Sequence, residues 1–252
     1  MSRIYSTSDA IDKPSIDKKS VAEFFEKRAQ KITSLGPIQA VIYQDKNPDL
    51  AAMRDAAEKT KLLPLLRLDG TQRVLDVGCG TGRWAGELLQ ASRWYHGIDA
   101  SEGLIAFARK QFSSALNGRF TTASVDAFSL RSLGETQLFD RVLCAGVLIY
   151  LNDDEIVPAL RCIASVVSNG GLILLREPLG VERRLTISEH YSEDMEQIYN
   201  AIYRTDEELN SLISEAMPEG DFRIVDFGDV YDASTLNNRS DTKQKWFLLE
   251  RI

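Results

Sequence analysis

Three glycines at alternate positions, Gly78, Gly80 and Gly82, follow the run "RVLDV" and precede "RWAGELL" in a chain of 252 residues. A glycine-rich turn between a strand and a helix lets backbone approach a ligand closely and aims the helix N-terminus at it. The dinucleotide fingerprint GxGxxG is nearly met, but residues 78–83 read "GCGTGR", so the third glycine arrives one position early. Asp76, two residues before the first glycine, would face a pyrophosphate unfavourably and suits a cofactor that carries positive charge. Asp99 closes the next apolar run, "WYHGID", where a carboxylate can accept both hydroxyls of a ribose.

A second group of residues could hold and deprotonate an acceptor. Arg176 and Glu177 end the run "GGLILLREP", and Arg183, Arg184 and Arg204 follow in a chain with 37 acidic and 30 basic residues. One reading makes them a pocket for a carboxylate, phosphate or phosphonate, held by bidentate contacts. The other pairs them with Glu177, Glu182, Glu189 and Glu193 on a solvated surface. His190 is one of two histidines and is the candidate general base for a hydroxyl or ammonium acceptor, against a plain surface role. His96 lies inside an apolar run and reads as structural. In "HYSEDMEQIYNAIYR", Tyr191, Met195, Ile198 and Ile202 fall at roughly helical spacing, with Tyr199 and Tyr203 four apart.

These residues need elements to carry them. Residues 1–17 are polar and read as a mobile tail. Residues 18–68 read as a helical cap: Val21, Phe24, Phe25, Ala29 and Ile32 form one stripe, and Asn47 with Pro48 starts a second helix. Residues 69–252 form the core. There "RVLDVG", "WYHGID", "RFTTAS", "FDRVLCAG" and "GGLILLREP" alternate with helical segments, which implies βαβ units and a parallel sheet. "FRIVDFGDVY" and "KQKWFLLERI" read as an antiparallel closing hairpin, and residues 178–204 as an acceptor-binding insertion.

The run "VLDVGCGTG", followed by "GIDAS", "SVDAF", "CAGVLIYLND" and "GGLILLREP", resembles the class I S-adenosylmethionine-dependent methyltransferases over residues 70–178. The resemblance implies an α/β, Rossmann-like, seven-stranded sheet with an N-terminal helical cap, and S-adenosylmethionine as cofactor. It assigns Asp76, Gly78, Cys79, Gly80 and Gly82 to the wrap around the methionine and ribose, with Asp99 and Ala100 at the ribose. Asp126, Ala127 and Phe128 would edge the adenine. Cys144 would line the transfer face beside Ala145, Gly146 and Val147, as a buried small residue and not a nucleophile. Tyr43 and Arg54 are the lid residues expected to touch the ligand, Arg54 through the methionine carboxylate. Tyr150 stands where many relatives carry histidine, which leaves it a role in orienting the acceptor. Arg176, Glu177, Arg183, Arg184, Tyr199 and Arg204 are the acceptor-side candidates.

Methyl transfer from a sulfonium needs donor and acceptor in line, and a base only where the nucleophile arrives protonated. No Asn/Asp-Pro-Pro-Tyr/Phe stretch and no Pro-Cys nucleophile is present, and acids and histidines show no metal-ligand spacing, so no metal is expected. The expected function is methylation at oxygen or nitrogen of a small polar, possibly anionic, acceptor. A peptide or protein-terminus methyltransferase and a non-catalytic cofactor-binding partner subunit stay open beside it. A net charge of −7 argues against a nucleic-acid partner, no apolar run approaches the roughly 20 residues of a membrane span, and three scattered cysteines suit reduced thiols. The expected location is cytoplasmic, and oligomeric state is open.

Overall fold

Short apolar runs alternating with amphipathic helices fold here as one mostly parallel sheet with a helical cap and a smaller second sheet. The computed structural model describes residues 2–7, 13–232, 236–237 and 239–252. In chain order, β1 (Ser2–Ser6) precedes the cap helices α1 (Lys18–Gln30), α2 (Ile32–Leu35), α3 (Gln39–Ile42) and α4 (Pro48–Leu62). The core continues with β2 (Arg73–Val77), α5 (Ala85–Ala91), β3 (Trp94–Asp99), α6 (Glu102–Gln111), β4 (Gly118–Thr122), α7 (Leu130–Leu133), β5 (Phe139–Ala145) and α8 (Asp153–Ser165). Then come β6 (Val167–Gly180), β7 (Arg184–Ser192), β8 (Gln197–Tyr203), α9 (Asp206–Ala216), β9 (Phe222–Asp229) and β10 (Thr242–Arg251).

The large sheet has seven strands in the order β4-β3-β2-β5-β6-β10-β9, with β10 antiparallel to both neighbours. This is the expected α/β architecture with its closing hairpin. Both faces are covered: Leu75 and Val77 of β2 enter one apolar core and Val74 the other. The order reverses between β2 and β3 on one side and β5 on the other, so the crevice for a ligand opens beyond the ends of these strands. Side-chain caps start several of the helices, the one at Asn47 as the sequence suggests. Ser101 accepts from the Leu104 N–H at 3.1 Å, Asn47 from Leu50 at 3.1 Å, and Thr205 from Glu208 at 3.2 Å.

Two expectations change. Residues 190–203 are not helical: β7 and β8 pair antiparallel, and with β1 they make a three-stranded sheet in the order β1-β7-β8. The spacing that decides is two, because Leu185 and Ile187 share one apolar cluster with Tyr199, Ala201 and Tyr203, whereas Tyr191 of the apparent helical stripe is exposed. The N-terminal segment also differs, since Ser2–Ser6 runs as an edge strand along β7 instead of irregular chain. Residues 1 and 8–12 of the expected tail lie outside the described residues. No helix among the described residues is long and apolar enough to cross a membrane.

Candidate active site

The first βα turn builds one end of a cavity of about 650 Å³. Gly78 has φ +73°, and a Cβ there would meet Val147 Cγ2 at 2.2 Å, so glycine is required both for conformation and for space. Gly78, Cys79, Gly80, Asp99 and Ala100 line the cavity. Asp99 accepts from the N–H groups of Gly80 at 3.0 Å and Ser101 at 2.9 Å. Burial still outweighs these donors and lifts its carboxyl to about 6. An acid held this way at a strand end, beside a loop without Cβ atoms, fits a ribose and the chain that follows it.

The cap closes this end. Arg28 is fully buried and forks onto Asp45 at 2.6 and 2.7 Å, while Nε and Nη2 donate to the Ala40 and Gln39 carbonyls at 2.9 and 2.6 Å. Its guanidinium lies 5.3 Å from the ring of Tyr43, which takes φ +59° at the end of α3 and faces the cavity. Thr81 Oγ1 donates to Pro37 O at 3.0 Å, which ties the cap to the glycine turn. Arg54 also reaches the cavity wall, where Nε and Nη2 donate to Leu236 O at 2.9 and 2.7 Å. Its hydrogen bonds among the described residues go to that backbone carbonyl, so its guanidinium could still meet an anion.

Glu58 of α4, almost fully buried, joins two guanidinium groups. Arg83 meets it at 3.1 Å and Arg176 at 2.8 Å, and Arg83 also meets Asp55 at 2.9 Å. Arg176 does line the cavity, but its charge is matched by the cap.

The other end of the cavity is aromatic and basic. Phe25 and Tyr150 meet edge to face at 4.9 Å, Tyr150 and Tyr199 at 6.3 Å, and Tyr43 and Tyr199 at 6.3 Å. The Tyr199 and Tyr203 hydroxyls are 3.0 Å apart. Burial holds all four tyrosine hydroxyls above their ordinary pKa, which keeps Tyr150 protonated and able to donate. Tyr150 Oη and His190 Nδ1 are buried and lack hydrogen-bond partners among the described residues. Both residues line the cavity. Arg3 and Arg239 line it too, and both approach one carboxylate, Asp241, at 3.9 Å and at 2.8 to 2.9 Å. The Arg239 guanidinium sits 5.4 Å from the Tyr203 ring. Two cations share this one acid, with Asp194 a further lining carboxylate.

Several expected site residues stand elsewhere. Asp76 lies beneath the loop, where it accepts from Tyr95 Oη at 2.8 Å, and burial raises its carboxyl to about 7. Gly82 has φ +80° and packs toward the Phe112 ring, off the cavity wall. Cys144 is fully buried in the core, and Ala145, Gly146 and Val147 line the cavity in its place. Asp126 accepts from Ser124 Oγ, Ala127 is exposed and Phe128 is core; Ala123, Ser124 and Val125 are the lining residues of that loop. Glu177 does not meet the cavity. It accepts from the N–H groups of Val147, Leu148 and Ile149 at 2.9, 3.0 and 3.3 Å and so shapes the turn after β5, while burial lifts it to about 7.

The remaining arginines are also displaced from the acceptor role. Arg184 and Arg204 are buried on Asp153 at 3.0 and 2.6 Å, because α8 brings that acid to the foot of β7 and β8. Arg183 lies over the exposed Tyr5 ring at 5.2 Å. The residues missed from sequence, Arg3 and Arg239, come from opposite ends of the chain and share no local pattern; only the pairing of β1 with β7 brings them together.

The chain matches the model of a family described as "Methyltransferase domain" over residues 74–171. It is 23% identical over 203 residues to phosphoethanolamine N-methyltransferase 1 of Triticum aestivum, covering 78% of this chain and 39% of that protein. It is 33% identical over 133 residues to glycine N-methyltransferase of Mus musculus, covering 48% of this chain and 45% of that protein. Among solved structures, Haemonchus contortus phosphoethanolamine N-methyltransferase 1, in complex with phosphoethanolamine and S-adenosylhomocysteine, superposes with a TM-score of 0.70 at 16% identity, covering 94% of this chain and 50% of that one. The chain spans half or less of the length of each of these relatives. The matched stretch contains the glycine turn, so residues 74–171 are similar to a methyltransferase domain, and the seven-stranded fold is shared with the superposed structure.

Proposed function

We propose that this chain binds S-adenosylmethionine at the Gly78–Asp99 end of the cavity and methylates a nitrogen or oxygen of a small acceptor whose anionic group is held by Arg3 and Arg239. The observation that carries the reading is the single cavity lined by both ends: the glycine turn and Asp99 at one, Tyr150, Tyr199, His190, Arg3 and Arg239 at the other. Its volume suits small-molecule sites and not a protein surface. When bound, the cofactor supplies a methyl carbon already activated by a sulfonium. Asp99 takes the ribose hydroxyls and Arg54 the carboxylate. The cap residues Tyr43 and Phe25 exclude water.

A nitrogen acceptor is favoured, because the relatives named above are N-methyltransferases and aromatic faces suit an ammonium group. His190 Nδ1 accepts the proton of an ammonium acceptor and later releases it to solvent. Removal of that proton would leave the nitrogen lone pair free to receive the methyl group that the bound cofactor would supply. The hydroxyls of Tyr150 and Tyr199 orient the acceptor.

The test is thermal stability of protein saturated with S-adenosylhomocysteine, against amines with and without a phosphate or carboxylate. A ligand at 100 times its dissociation constant adds about 2.7 kcal/mol of stability. Stabilisation by the anionic amines alone, lost in Arg239→Ala, is expected. Equal stabilisation by neutral amines, with Arg239→Ala silent, would overturn the anion assignment.

A further inference from the structure

His190 faces the cavity because β7 contains one residue too many. Ile187 pairs with Ala201 and His190 with Tyr199, so Ser188 and Glu189 together oppose the single residue Asn200. Side chains alternate along a strand, and Leu185 and Ile187 already point into the aromatic cluster. Unbroken alternation would bring Glu189 to that face next. The extra residue reverses the parity beyond it, and His190 and Ser192 line the cavity while Glu189 is exposed.

The bulge is strained and held. Glu189 takes φ +49°, a left-handed conformation rare outside glycine, Asn and Asp. Asn200, 2% exposed, secures it from across the hairpin. The Glu189 N–H donates to Asn200 Oδ1 at 2.8 Å, and Asn200 Nδ2 donates to Glu189 Oε1 at 2.9 Å. The same Nδ2 donates to Ser20 Oγ at 3.0 Å, in the first turn of the cap helix α1. At the far end of that helix, Lys31 Nζ donates to Met195 O in the turn between β7 and β8 at 2.7 Å. The helix that covers the cavity is therefore pinned at both ends to the hairpin that carries His190.

We propose that Asn200 is a positioning residue: it locks the bulge that selects His190 over Glu189 for the cavity, and through Ser20 it makes docking of the α1 lid and presentation of His190 one event. The function of His190 in turnover rests on the reading given above, whereas its placement by Asn200 does not. A hydrogen-bond relay of this kind acts on orientation, and an off-line base loses rate far more than it loses binding.

The two histidines make the test direct. Imidazole signals of His190 and His96 are followed by NMR in the full chain saturated with S-adenosylhomocysteine, at one fixed pH, and assigned with His190→Gln. His96 is fully buried between Glu135 and Thr121, with both ring nitrogens at 2.8 Å from a partner, so its signal reports an intact fold. Asn200→Ala is expected to move the His190 signal, leave His96 in place, and lower kcat roughly ten- to a hundredfold with little change in KM. Ser20→Ala is expected to move the same signal in the same direction. It keeps its backbone N–H on Asp17 Oδ1 at 2.6 Å, so α1 stays capped even where Asn200→Ala does not fold. A His190 signal that stays put in both variants would overturn the proposal. Full turnover by His190→Gln, with the signal displaced in Asn200→Ala, would keep the positioning role and remove His190 as the base.

Discussion

Replacing Gly78 by alanine tests the join between the cofactor turn and the transfer face. At φ +73° an L-residue costs roughly 1–2 kcal/mol relative to glycine. The new methyl would also stand 2.2 Å from Val147 Cγ2, well inside van der Waals contact, and overpacking of this kind adds about 1–3 kcal/mol. Val147 cannot simply swing aside, because its N–H and those of Leu148 and Ile149 are held by Glu177. The sum is about 2–5 kcal/mol, which for a chain of this size lowers the melting temperature by roughly 5–20 °C. The two contributions separate in a double-mutant cycle with Val147→Ala, which removes the clashing methyl and leaves the backbone penalty. Urea unfolding of the four proteins should give a favourable coupling of about 1–3 kcal/mol. A Gly78→Ala penalty that is the same in both backgrounds would refute the packing argument and leave only conformational strain at this turn.

Three further outcomes follow from the buried charges. Glu58→Ala strands Arg176 and leaves Arg83 with Asp55 alone, and should destabilise the chain by about 3–5 kcal/mol in urea unfolding, whereas an isolated surface acid would cost under 1 kcal/mol. Asp99 titrates at about 6, so S-adenosylhomocysteine affinity measured by calorimetry should fall about tenfold from pH 8 to pH 5, and Asp99→Asn should abolish that pH dependence. Asp76 has a folded pKa raised to about 7, so the native state holds its proton more tightly than the unfolded chain. This contribution to stability is therefore present at low pH and lost as pH rises towards 7, by roughly 4 kcal/mol at most, and Asp76→Asn should flatten the difference between urea midpoints at pH 5 and pH 8.

The alternation of strands and helices along the chain and the glycine turn were legible because they rest on local chemistry. Buried strands read as apolar runs, and the close approach at Gly78 and Gly80 admits no other residue without strain. The β7–β8 hairpin was not legible: Tyr191, Met195, Ile198 and Ile202 fit a helical stripe as well as any helix does, and nothing nearby in sequence shows that Leu185 packs beside Tyr203. The partners of the arginines were hidden for the same reason. Arg184 and Arg204 find Asp153, and Arg176 finds Glu58 from 118 positions away, so their partners are set by the fold and not by the neighbouring glutamates. The bulge opposite Asn200 is a further case, since a single register step decides whether Glu189 or His190 faces the cavity, and unbroken alternation would have favoured Glu189. Asp126 was displaced by only one or two residues within its loop, where strand ends are hardest to place.

The most direct measurement is transfer of an isotopically labelled methyl group from S-adenosylmethionine, with purified protein and a panel of small amines bearing phosphate or carboxylate, read by mass spectrometry of the acceptors. The expected result is labelled product from at least one anionic amine, a rate that collapses in Asp99→Ala, and a raised KM for that amine in Arg239→Ala. Label that reaches only polypeptide, or transfer that survives Asp99→Ala unchanged, would contradict a single cavity that joins cofactor and small acceptor.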